Sequence, residues 1–366
     1  MAETPERKRR LGVVVNPTAG KGRGARVGND VVNRLFSEGY DVWNLSGNSA
    51  TLALEHCKRA IADGLDALIV VGGDGMVHLG INAVAGTGVP LGIVAMGTGN
   101  DFAHVIGLPV HDTQETVEAM DLALAQGPAG IQSFDALQVT GLGLEGEETK
   151  HPEYVRYAAG ALSCGIDAAI NARANIMTRP RGSARYVLAA LRELSIYDAW
   201  QYHLIIENAR VEEADLPRLL AFPGITDGGP EADGVGRRLH WDSPGALVTA
   251  ANGKQIGGGI LVAPDALPND GLIDLVIAGD VKRAGAAKLF PQMLGGGSHK
   301  DSDDVRIIQC SAVTVESGDG GRHLPATFAD GEYLGTLPLR AQIMPGALKI
   351  LVPPQEASAS EPTSPE

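Results

Sequence analysis

Cysteines are few in this sequence and lie far apart. The chain of 366 residues has three of them, Cys57, Cys164 and Cys310, and their spacing matches no metal-ligand motif. Widely separated thiols of this kind are typical of buried cysteines in a reducing cytoplasm. We therefore expect no disulfide framework and no cysteine metal centre.

Positive charge is also scarce. The chain has 30 basic and 44 acidic residues, a formal net charge of −14, and its one dense basic run is at residues 7–10. A broad nucleic-acid-binding face is therefore not expected, and nucleic acid is not among the predicted partners. The basic run at 7–10 either contacts anionic lipid or forms a solvated tail.

A long apolar run and an internal repeat are both missing. The first apolar segment, at residues 11–15, is far too short to export the chain or to span a bilayer, so we expect a soluble, cytoplasmic protein. The length suits about two domains, and 44% hydrophobic residues are enough to build their cores.

What the sequence has instead is an alternation of strands and helices over its first third. The segment at 67–71 is continuously apolar, which is typical of a parallel strand covered on both faces. Together these elements predict a parallel sheet covered by helices. The predicted strands are 11–15, 40–45, 67–71 and 91–95, and the predicted helices are 49–63, 76–85 and 112–126.

Three of the predicted strands end in glycine-rich loops, at residues 16–22, 72–75 and 96–102. The carboxyl ends of parallel strands share one edge of a sheet, so these loops should converge there. Glycine lets backbone N–H groups approach a ligand oxyanion, and the carboxylate of Asp74 is suited to hold a metal. The sequence predicts a phosphate site; a tight turn with a capping aspartate is the alternative.

The pattern changes after residue 132. Short strands predict a second, mainly antiparallel domain, interrupted by a helical hairpin at 164–176 and 184–195. Two stretches, 141–152 and 209–245, have the composition of mobile loops, and the tail at 353–366 that of a disordered segment. The strands are predicted at 134–140, 202–207, 258–263, 272–277, 312–316 and 326–328, with a closing hairpin at 340–344 and 348–352.

Seven motifs, spread over residues 10–352, together resemble the diacylglycerol kinase and sphingosine kinase family, and the soluble bacterial lipid kinases in particular. The motifs are Asn16-Pro17-Thr18-Ala19-Gly20, Gly72-Gly73-Asp74-Gly75, Gly97-Thr98-Gly99-Asn100-Asp101-Phe102, Cys164-Gly165-Ile166-Asp167-Ala168, Asn252-Gly253-Lys254-Gln255-Ile256-Gly257-Gly258-Gly259, Pro268-Asn269-Asp270-Gly271-Leu272-Ile273-Asp274 and Ala329-Asp330-Gly331-Glu332.

The resemblance implies a fold and an activity. It implies a nucleotide-binding α/β domain at 10–132, a β-sandwich domain at 133–337 and a return of 338–352 to the first domain. It also implies ATP- and Mg²⁺-dependent phosphorylation of a lipid hydroxyl, most often that of diacylglycerol, which gives phosphatidate. Such an enzyme would visit the cytoplasmic membrane surface transiently, and a homodimer is left open.

The resemblance also implies roles for individual residues. Asp74 would hold the catalytic Mg²⁺ with help from Asp135, and Glu332 would be the general base toward the lipid hydroxyl, oriented by Asp330. A second, structural Mg²⁺ would be bound by the Asp270 carboxylate and the carbonyls of Leu267 and Leu272. ATP would be bound by Asn16, Pro17, Thr18, Ala19, Gly20, Gly72, Gly73, Asp74, Gly75, Met76, Val77, His78 and Thr98.

Each of these residues has a structural alternative. Asn16 suits an Asn-Pro turn, Asp330 to Glu332 an ordinary β-hairpin turn, Asp135 a hydrogen-bonded turn, and Asp270 a plain Asn-Asp-Gly turn.

The residues after Gly75 depart from the family pattern. The family usually has threonine there and then an Asn-Glu pair, where this chain has Met76, His78 and Leu79. Two other functions therefore stay open, a catalytically weak nucleotide- or lipid-binding regulator and an NAD kinase, which shares the Gly-Gly-Asp-Gly turn.

Overall fold

The computed structural model describes residues 7–110, 112–142, 154–180, 183–232, 234–318, 324 and 326–353. The predicted loop at 141–152 and the predicted tail at 353–366 therefore lie almost entirely outside the described residues. Within the described ranges, no helix is both long enough and apolar enough to cross a membrane.

The first part of the chain alternates strands and helices, as predicted. Its elements are β1 Arg10–Val15, α1 Ala19–Gly22, α2 Gly24–Ser37, β2 Asp41–Asn44, α3 Ala50–Ala62, β3 Ala67–Gly72, α4 Asp74–Val84, β4 Leu91–Ala95, α5 Asp101–Val105 and α6 Thr113–Ala125. The four strands are parallel and stand in the order β2-β1-β3-β4. Every residue of β3 is buried, which explains its continuous apolar run.

Local sequence signals account for several of the helices. In α2 the residues Val27, Val31 and Leu35 recur every fourth position, and this stripe is buried against the sheet. The Ser49 side chain caps α3 by accepting a hydrogen bond from Leu52 N–H (3.2 Å). Asp112 caps α6 in the same way, with Gln114 N–H (2.7 Å) and Glu115 N–H (3.2 Å) as donors.

The remainder of the chain is mostly strand, with the predicted helical hairpin as α7 and α8. Its elements are β5 Ile131–Gly141, β6 Val155–Ala158, β7 Ala161–Ser163, α7 Ile166–Ile176, α8 Ser183–Ile196, β8 Trp200–Ala209, α9 Leu216–Leu220, β9 Ile225–Pro230, β10 Arg237–Gly245, β11 Leu247–Ala251, β12 Gln255–Ile256, β13 Ile260–Leu261, β14 Ile273–Ala278, α10 Arg283–Leu294, β15 Val305–Cys310, β16 Ala312–Ser317, β17 Thr327–Ala329, β18 Glu332–Gly335 and β19 Leu339–Leu351.

Two large sheets organise these elements. One has eleven strands and runs from the parallel part into the antiparallel order β19-β16-β8-β10-β9, with β5 and β6 beside β19; the other has six strands in the order β15-β14-β11-β7-β17-β18. Leu204 and Ile206 of the first sheet share a buried core with Leu275 and Ile277 of the second. The fold is therefore a nucleotide-binding-type α/β unit followed by a β-sandwich, as predicted.

The predicted loop at 209–245 is wrong. Most of that stretch is structured as α9, β9 and β10, and β10 pairs with both β8 and β9. Leu239 and Trp241 of β10 are fully buried. Glycine, proline and aspartate in the segment favour a loop. A strand forms nevertheless, because β10 pairs with β8, and this pairing is not visible in the local composition.

The predicted hairpin at the end of the chain is also wrong. Residues 339–351 form one strand, whose register shifts between Met344 and Leu348. This bulge gave the sequence the appearance of two strands. The strand returns to the first part of the chain, where Ile350 pairs in parallel with Leu91 of β4. Another predicted strand, at 258–263, is reduced to the two residues of β13.

The three cysteines match the prediction. Cys57, Cys164 and Cys310 are buried and unpaired.

Candidate active site

The glycine-rich loops after β1, β3 and β4 meet at one edge of the sheet. Asn16 N–H donates to Val71 C=O (3.0 Å), and Met96 N–H donates to Gly72 C=O (2.7 Å). A Cβ placed on Gly73 would lie 2.9 Å from Gly97 Cα, so the second and third loops pack backbone to backbone. The predicted convergence of the loops is confirmed.

Asp74 begins α4 and links two of these loops. Its Oδ2 accepts a hydrogen bond from Asn100 N–H (2.9 Å), and its Oδ1 accepts one from Asp101 N–H (2.8 Å). Each carboxylate oxygen has a second lone pair, so both can still bind a ligand. Asp74 does not cap its own helix, which was the alternative considered, because its two donors lie at the start of α5; these bonds fix the direction of the carboxylate.

A cleft of about 670 Å³ lies beside Asp74, between the α/β part and the sandwich. Its carboxylates are those of Asp74, Asp101 and Asp330, and no described lysine or arginine lines it. The lining includes Asp74, His78, Asp101, Asn171, Tyr186 and Asp330. Burial, and next the charge of Asp74, raises the pKa of Asp101 to about 7. The charge of Asp330 adds to the rise, and the backbone N–H groups of Gly258 and Gly257 oppose it. Such a lining favours a cation over an anion.

Asp330 stands on a tight hairpin between β17 and β18. Asp330 and Gly331 have φ of 50° and 82°, and the flanking residues Ala329 and Glu332 pair, so the connection is a two-residue turn of the kind that favours Asp-Gly. The Asp330 carboxylate accepts hydrogen bonds from the N–H groups of Ala159 (2.9 Å), Gly160 (2.8 Å) and Ala161 (3.1 Å). Asp330 therefore both forms the hairpin turn, which was the alternative considered for it, and lines the cleft.

Glu332 follows directly as the first residue of β18 and is exposed. A Cβ placed on Gly75 would lie 3.0 Å from Glu332 Oε1, so this carboxylate reaches the first turn of α4. Tertiary structure thus brings Glu332 and Asp330 to the Asp74 loop, although they lie far from it in sequence.

His78, one turn along α4, faces the same place. Its Nδ1 is 3.6 Å from Asp330 Oδ2 and has no hydrogen-bond partner among the described residues. Asn82 Nδ2 lies 3.1 Å from His78 Nε2, and the Asn82 amide is itself held by Tyr157, through Tyr157 C=O (2.8 Å) and N–H (3.0 Å). Asn82 Nδ2 also donates to His78 C=O (2.9 Å), so Asn82 holds the imidazole in place with Nδ1 on the side of Asp330.

The other predicted ATP residues surround the glycine loops. Asn16 Oδ1 accepts hydrogen bonds from Thr18 N–H (3.0 Å) and Thr18 Oγ1 (2.8 Å), so Asn16 does form the turn considered as its alternative. Pro17 lies inside that turn, and Ala19 and Gly20 begin α1. Thr98 is exposed at the tip of the third loop.

Asp135, predicted to help Asp74 hold the catalytic Mg²⁺, and the residues predicted for the second metal lie away from the cleft. The Asp135 carboxylate is buried and accepts hydrogen bonds from Gly271 N–H (2.7 Å) and from Gly346 N–H in the β19 bulge (2.7 Å). It does not line the cleft and instead holds the 268–271 turn. Asp270 Oδ1 accepts from Leu272 N–H (3.0 Å), and Leu267 is half exposed. Burial, and less strongly the charge of Asp135, raises the pKa of Asp270.

Across the described ranges, no group of three or more His, Cys, Asp or Glu side chains is arranged to hold a metal ion alone. Mg²⁺ does not require such a group, because it keeps several waters and uses one or two protein carboxylates together with substrate phosphates.

Two family models match the sequence. The diacylglycerol kinase catalytic domain matches residues 10–129, and the YegS C-terminal NAD kinase beta sandwich-like domain matches residues 160–352, which is more than half of the chain. The chain belongs to the lipid kinase family that combines a diacylglycerol kinase catalytic domain with a YegS-type C-terminal domain.

Full-length relatives agree with this assignment. The chain is 28% identical over 348 residues to diacylglycerol kinase of Mycobacterium tuberculosis strain H37Rv, which covers 93% of this chain and 94% of that protein. It is 25% identical over 308 residues to lipid kinase YegS of Escherichia coli K12, which covers 82% of this chain and 83% of that protein.

Solved structures support the fold. A diacylglycerol kinase from Bacillus anthracis superposes with a TM-score of 0.60 at 18% identity, covering 94% of this chain and 97% of that chain. Yeast NADH kinase complexed with NADH has a TM-score of 0.52 at 11% identity, covering 94% and 83%. At such low identity these two likenesses concern the fold alone.

The structure places the three residues that depart from the family pattern, Met76, His78 and Leu79. Leu79 is 6% exposed and belongs to the core under α4, so an apolar residue suits it. Met76 packs partly against the same core. Of the three, His78 is the one that lines the cleft.

Sequence reasoning missed three residues that shape the cleft. Asp101 lines it directly, although we assigned no role to this member of the third motif. Asn252 is fully buried and donates to Asp135 C=O (3.1 Å) and Ala159 C=O (2.8 Å), which positions the chain segment that binds Asp330. Asn82 orients His78 and had no sequence signal beyond its place one turn later on the helix.

Proposed function

We propose that this chain is an ATP- and Mg²⁺-dependent lipid kinase that phosphorylates a lipid hydroxyl, with diacylglycerol as the first substrate to test and phosphatidate as its product. The observation that carries the proposal is the acidic cleft, where the Asp74 loop of the α/β part meets the Asp330–Glu332 hairpin of the sandwich. The relatives from Mycobacterium tuberculosis and Escherichia coli are named diacylglycerol kinase and lipid kinase, which supports the same activity.

The nucleotide side of the cleft is the glycine-loop edge. The first turn of α4 has N–H groups without partners inside the helix, and such a helix N-terminus favours phosphate oxygens. In this proposal the residues at 16–20, at 72–78 and at position 98 bind ATP. His78 contributes its ring nitrogen Nδ1, which has no hydrogen-bond partner among the described residues.

The acidic lining fits a divalent cation. Asp74 would hold Mg²⁺, directly or through water, since its carboxylate is fixed in direction and its oxygens keep free lone pairs. When bound, the ion would neutralise charge on the transferring phosphoryl group. Burial, and next the charge of Asp74, raises the pKa of Asp101 to about 7, and a bound cation would relieve the repulsion between the two carboxylates.

The acceptor side is the β17–β18 hairpin. Glu332 is exposed and unconstrained, so it can take the proton of the lipid hydroxyl as that oxygen bonds to the γ-phosphorus and the bond to the ADP oxygen breaks. Asp330 is held by three N–H groups and stays fixed; it positions the hairpin that carries Glu332.

The remaining site assignments form part of the same proposal. A second, structural Mg²⁺ would be bound by Asp270 and the carbonyls of Leu267 and Leu272, next to Asp135, whose carboxylate secures that turn. The enzyme would be cytoplasmic and would meet its lipid at the membrane surface.

The test is phosphate transfer from radiolabelled ATP, with the acceptors offered separately. Diacylglycerol, a sphingoid base, monoacylglycerol, an isoprenoid alcohol and NAD are each incubated with the full chain, with Mg²⁺ and with a chelator. We expect Mg²⁺-dependent label in phosphatidate. Faster labelling of NAD would establish the NAD kinase alternative, and tight ATP binding without transfer to any acceptor would establish the regulator.

A further inference from the structure

The helical hairpin of α7 and α8 exposes large aliphatic side chains. Ile176 at the end of α7 is 78% exposed, and Leu188 and Leu191 of α8 are 46% and 58% exposed. Val187 is exposed beside them. The opposite side of α8 is already used for packing, since Ala189, Ala190 and Leu194 are buried there. The exposed residues are therefore not needed by the sandwich core.

The same hairpin is positively charged in an acidic protein. Residues 166–196 contain five arginines and two acidic residues, a formal charge of +3 in a chain of net charge −14. Both acids are occupied, because Asp167 is buried against Thr249 (2.7 Å) and Glu193 pairs with Arg173. Arg179 and Arg192 are exposed, and neither has a carboxylate partner in the part of the chain that the structure describes.

Positive charge and exposed apolar side chains therefore occur together on one helical hairpin. We call its exposed residues the arginine-flanked face: Ile176, Arg179, Val187, Leu188, Leu191 and Arg192. On α8 the residues Leu188, Leu191 and Arg192 follow the one-turn spacing that places side chains on a common side of a helix. This combination is the signature of a helix that lies in a membrane interface.

The inner side of this hairpin belongs to the cleft. Asn171 of α7 and Tyr186 of α8 line it together with Asp74 and Asp330. Asn175, the neighbour of Ile176, donates to Gly331 C=O (3.1 Å) in the turn that carries Asp330 and Glu332. A membrane bound to the outer side of the hairpin would thus lie near the cleft.

We propose that the arginine-flanked face docks this protein onto an anionic phospholipid bilayer. The aliphatic side chains would enter the boundary between headgroups and acyl chains, and the arginines would bind lipid phosphates. A second copy of the chain is a poorer occupant, because symmetric contact would bring two positive faces together. The other basic run is less available, since Arg7 already pairs with Asp66 (2.7 Å).

The docking proposal depends only on the residues of the α7–α8 hairpin. The purpose of docking, delivery of a membrane lipid to the cleft, rests on the proposed function. The first experiment therefore measures binding without ATP. The full chain is sedimented with vesicles of equimolar phosphatidylcholine and phosphatidylglycerol, and with vesicles of phosphatidylcholine only. We expect binding to the anionic vesicles that weakens with salt, and much weaker binding to the neutral ones.

Two double variants test the face. Leu188→Gln with Leu191→Gln removes apolar surface, and Arg179→Gln with Arg192→Gln removes charge; each should weaken binding to anionic vesicles about tenfold or more. The matched controls are Leu52→Gln with Leu122→Gln, and Arg26→Gln with Arg59→Gln, exposed residues of the α/β part. The controls should bind like the unmodified protein.

Contrary outcomes are equally clear. Unmodified binding by both test variants, equal loss in the controls, or no binding of the native chain to anionic vesicles would overturn the proposal. Light scattering tests whether a second copy of the chain occupies the face. A native dimer that becomes monomeric in the Leu188→Gln, Leu191→Gln variant would assign the face to self-association instead.

A second readout separates docking from catalysis. If the chain phosphorylates diacylglycerol, the Leu188→Gln, Leu191→Gln variant should keep its rate on a water-soluble short-chain diacylglycerol. Its rate on long-chain diacylglycerol in vesicles should fall about tenfold. If no lipid is phosphorylated but vesicle binding depends on the face, the proposed function fails and the docking surface stands. Equal loss on both substrates would show that the variant damages the cleft.

Discussion

Asp74→Asn tests the centre of the proposed site most directly. In the native chain each carboxylate oxygen of Asp74 accepts one backbone N–H, from Asn100 (2.9 Å) and from Asp101 (2.8 Å). The amide keeps one acceptor oxygen and turns an NH₂ group toward the other N–H. One charge-assisted hydrogen bond is lost, which is worth about 1.5–3 kcal/mol.

Part of that loss is offset. The charge of Asp74 is the second cause, after burial, of the raised pKa of Asp101, so removing it relieves repulsion in the cleft. We therefore expect the free energy of unfolding to fall by only about 1–2 kcal/mol. The catalytic effect should be larger, because a metal-binding carboxylate is lost: the rate of lipid phosphorylation should drop about 100-fold or more, with a higher Mg²⁺ concentration for half-maximal rate.

The assay combines urea unfolding with a Mg²⁺ titration of the steady-state rate. Asp112→Asn is the matched control, since Asp112 also accepts two N–H groups at a helix start but does so with one oxygen, outside the cleft. Asparagine caps as well as aspartate, so both measurements should be nearly unchanged there. An Asp74→Asn protein with the native rate and native Mg²⁺ dependence would refute the assignment of Asp74.

Three further predictions concern other residues. Glu332→Gln should lower the rate about 100-fold with unchanged urea unfolding, because the side chain is exposed, and Glu118→Gln on α6 serves as its control. Asn252→Ala should lower the unfolding free energy by about 2–4 kcal/mol, since two carbonyls lose their buried donor. Burial, and next the charge of Asp270, raises the pKa of Asp274 to about 6. Between about pH 4 and 6 the folded state keeps a proton that the unfolded chain has released, so the free energy of unfolding falls as pH rises. Asp274→Asn should therefore recover about 3 kcal/mol at pH 8 but little near pH 4.

An activity of the Glu332 variant equal to that of the native protein would exclude Glu332 as the base. Unchanged unfolding of the Asn252 variant would show that its hydrogen bonds are replaced by water. A stability gain for Asp274→Asn that is the same at both pH values would contradict the charge argument.

The sequence alone determined much of the α/β part. Buried parallel strands such as β3 are continuous apolar runs, and loops that bring backbones together, such as Gly73 against Gly97, require glycine. Both signals are local in the chain, so the sheet, the converging loops and the place of Asp74 could be predicted. Local capping also predicted α6 from Asp112 and Glu115.

Only the tertiary structure decided the rest, because the deciding contacts join distant segments. Strand β10 and its buried Trp241 could not be recognised, since pairing with β8 orders a segment whose composition favours a loop. Asp330 forms an ordinary Asp-Gly turn by its own sequence and lines the cleft only because residues 159–161 bind its carboxylate. The sequence predicted the α7–α8 hairpin, but which of its apolar residues stay in solvent depends on the sandwich that buries the others.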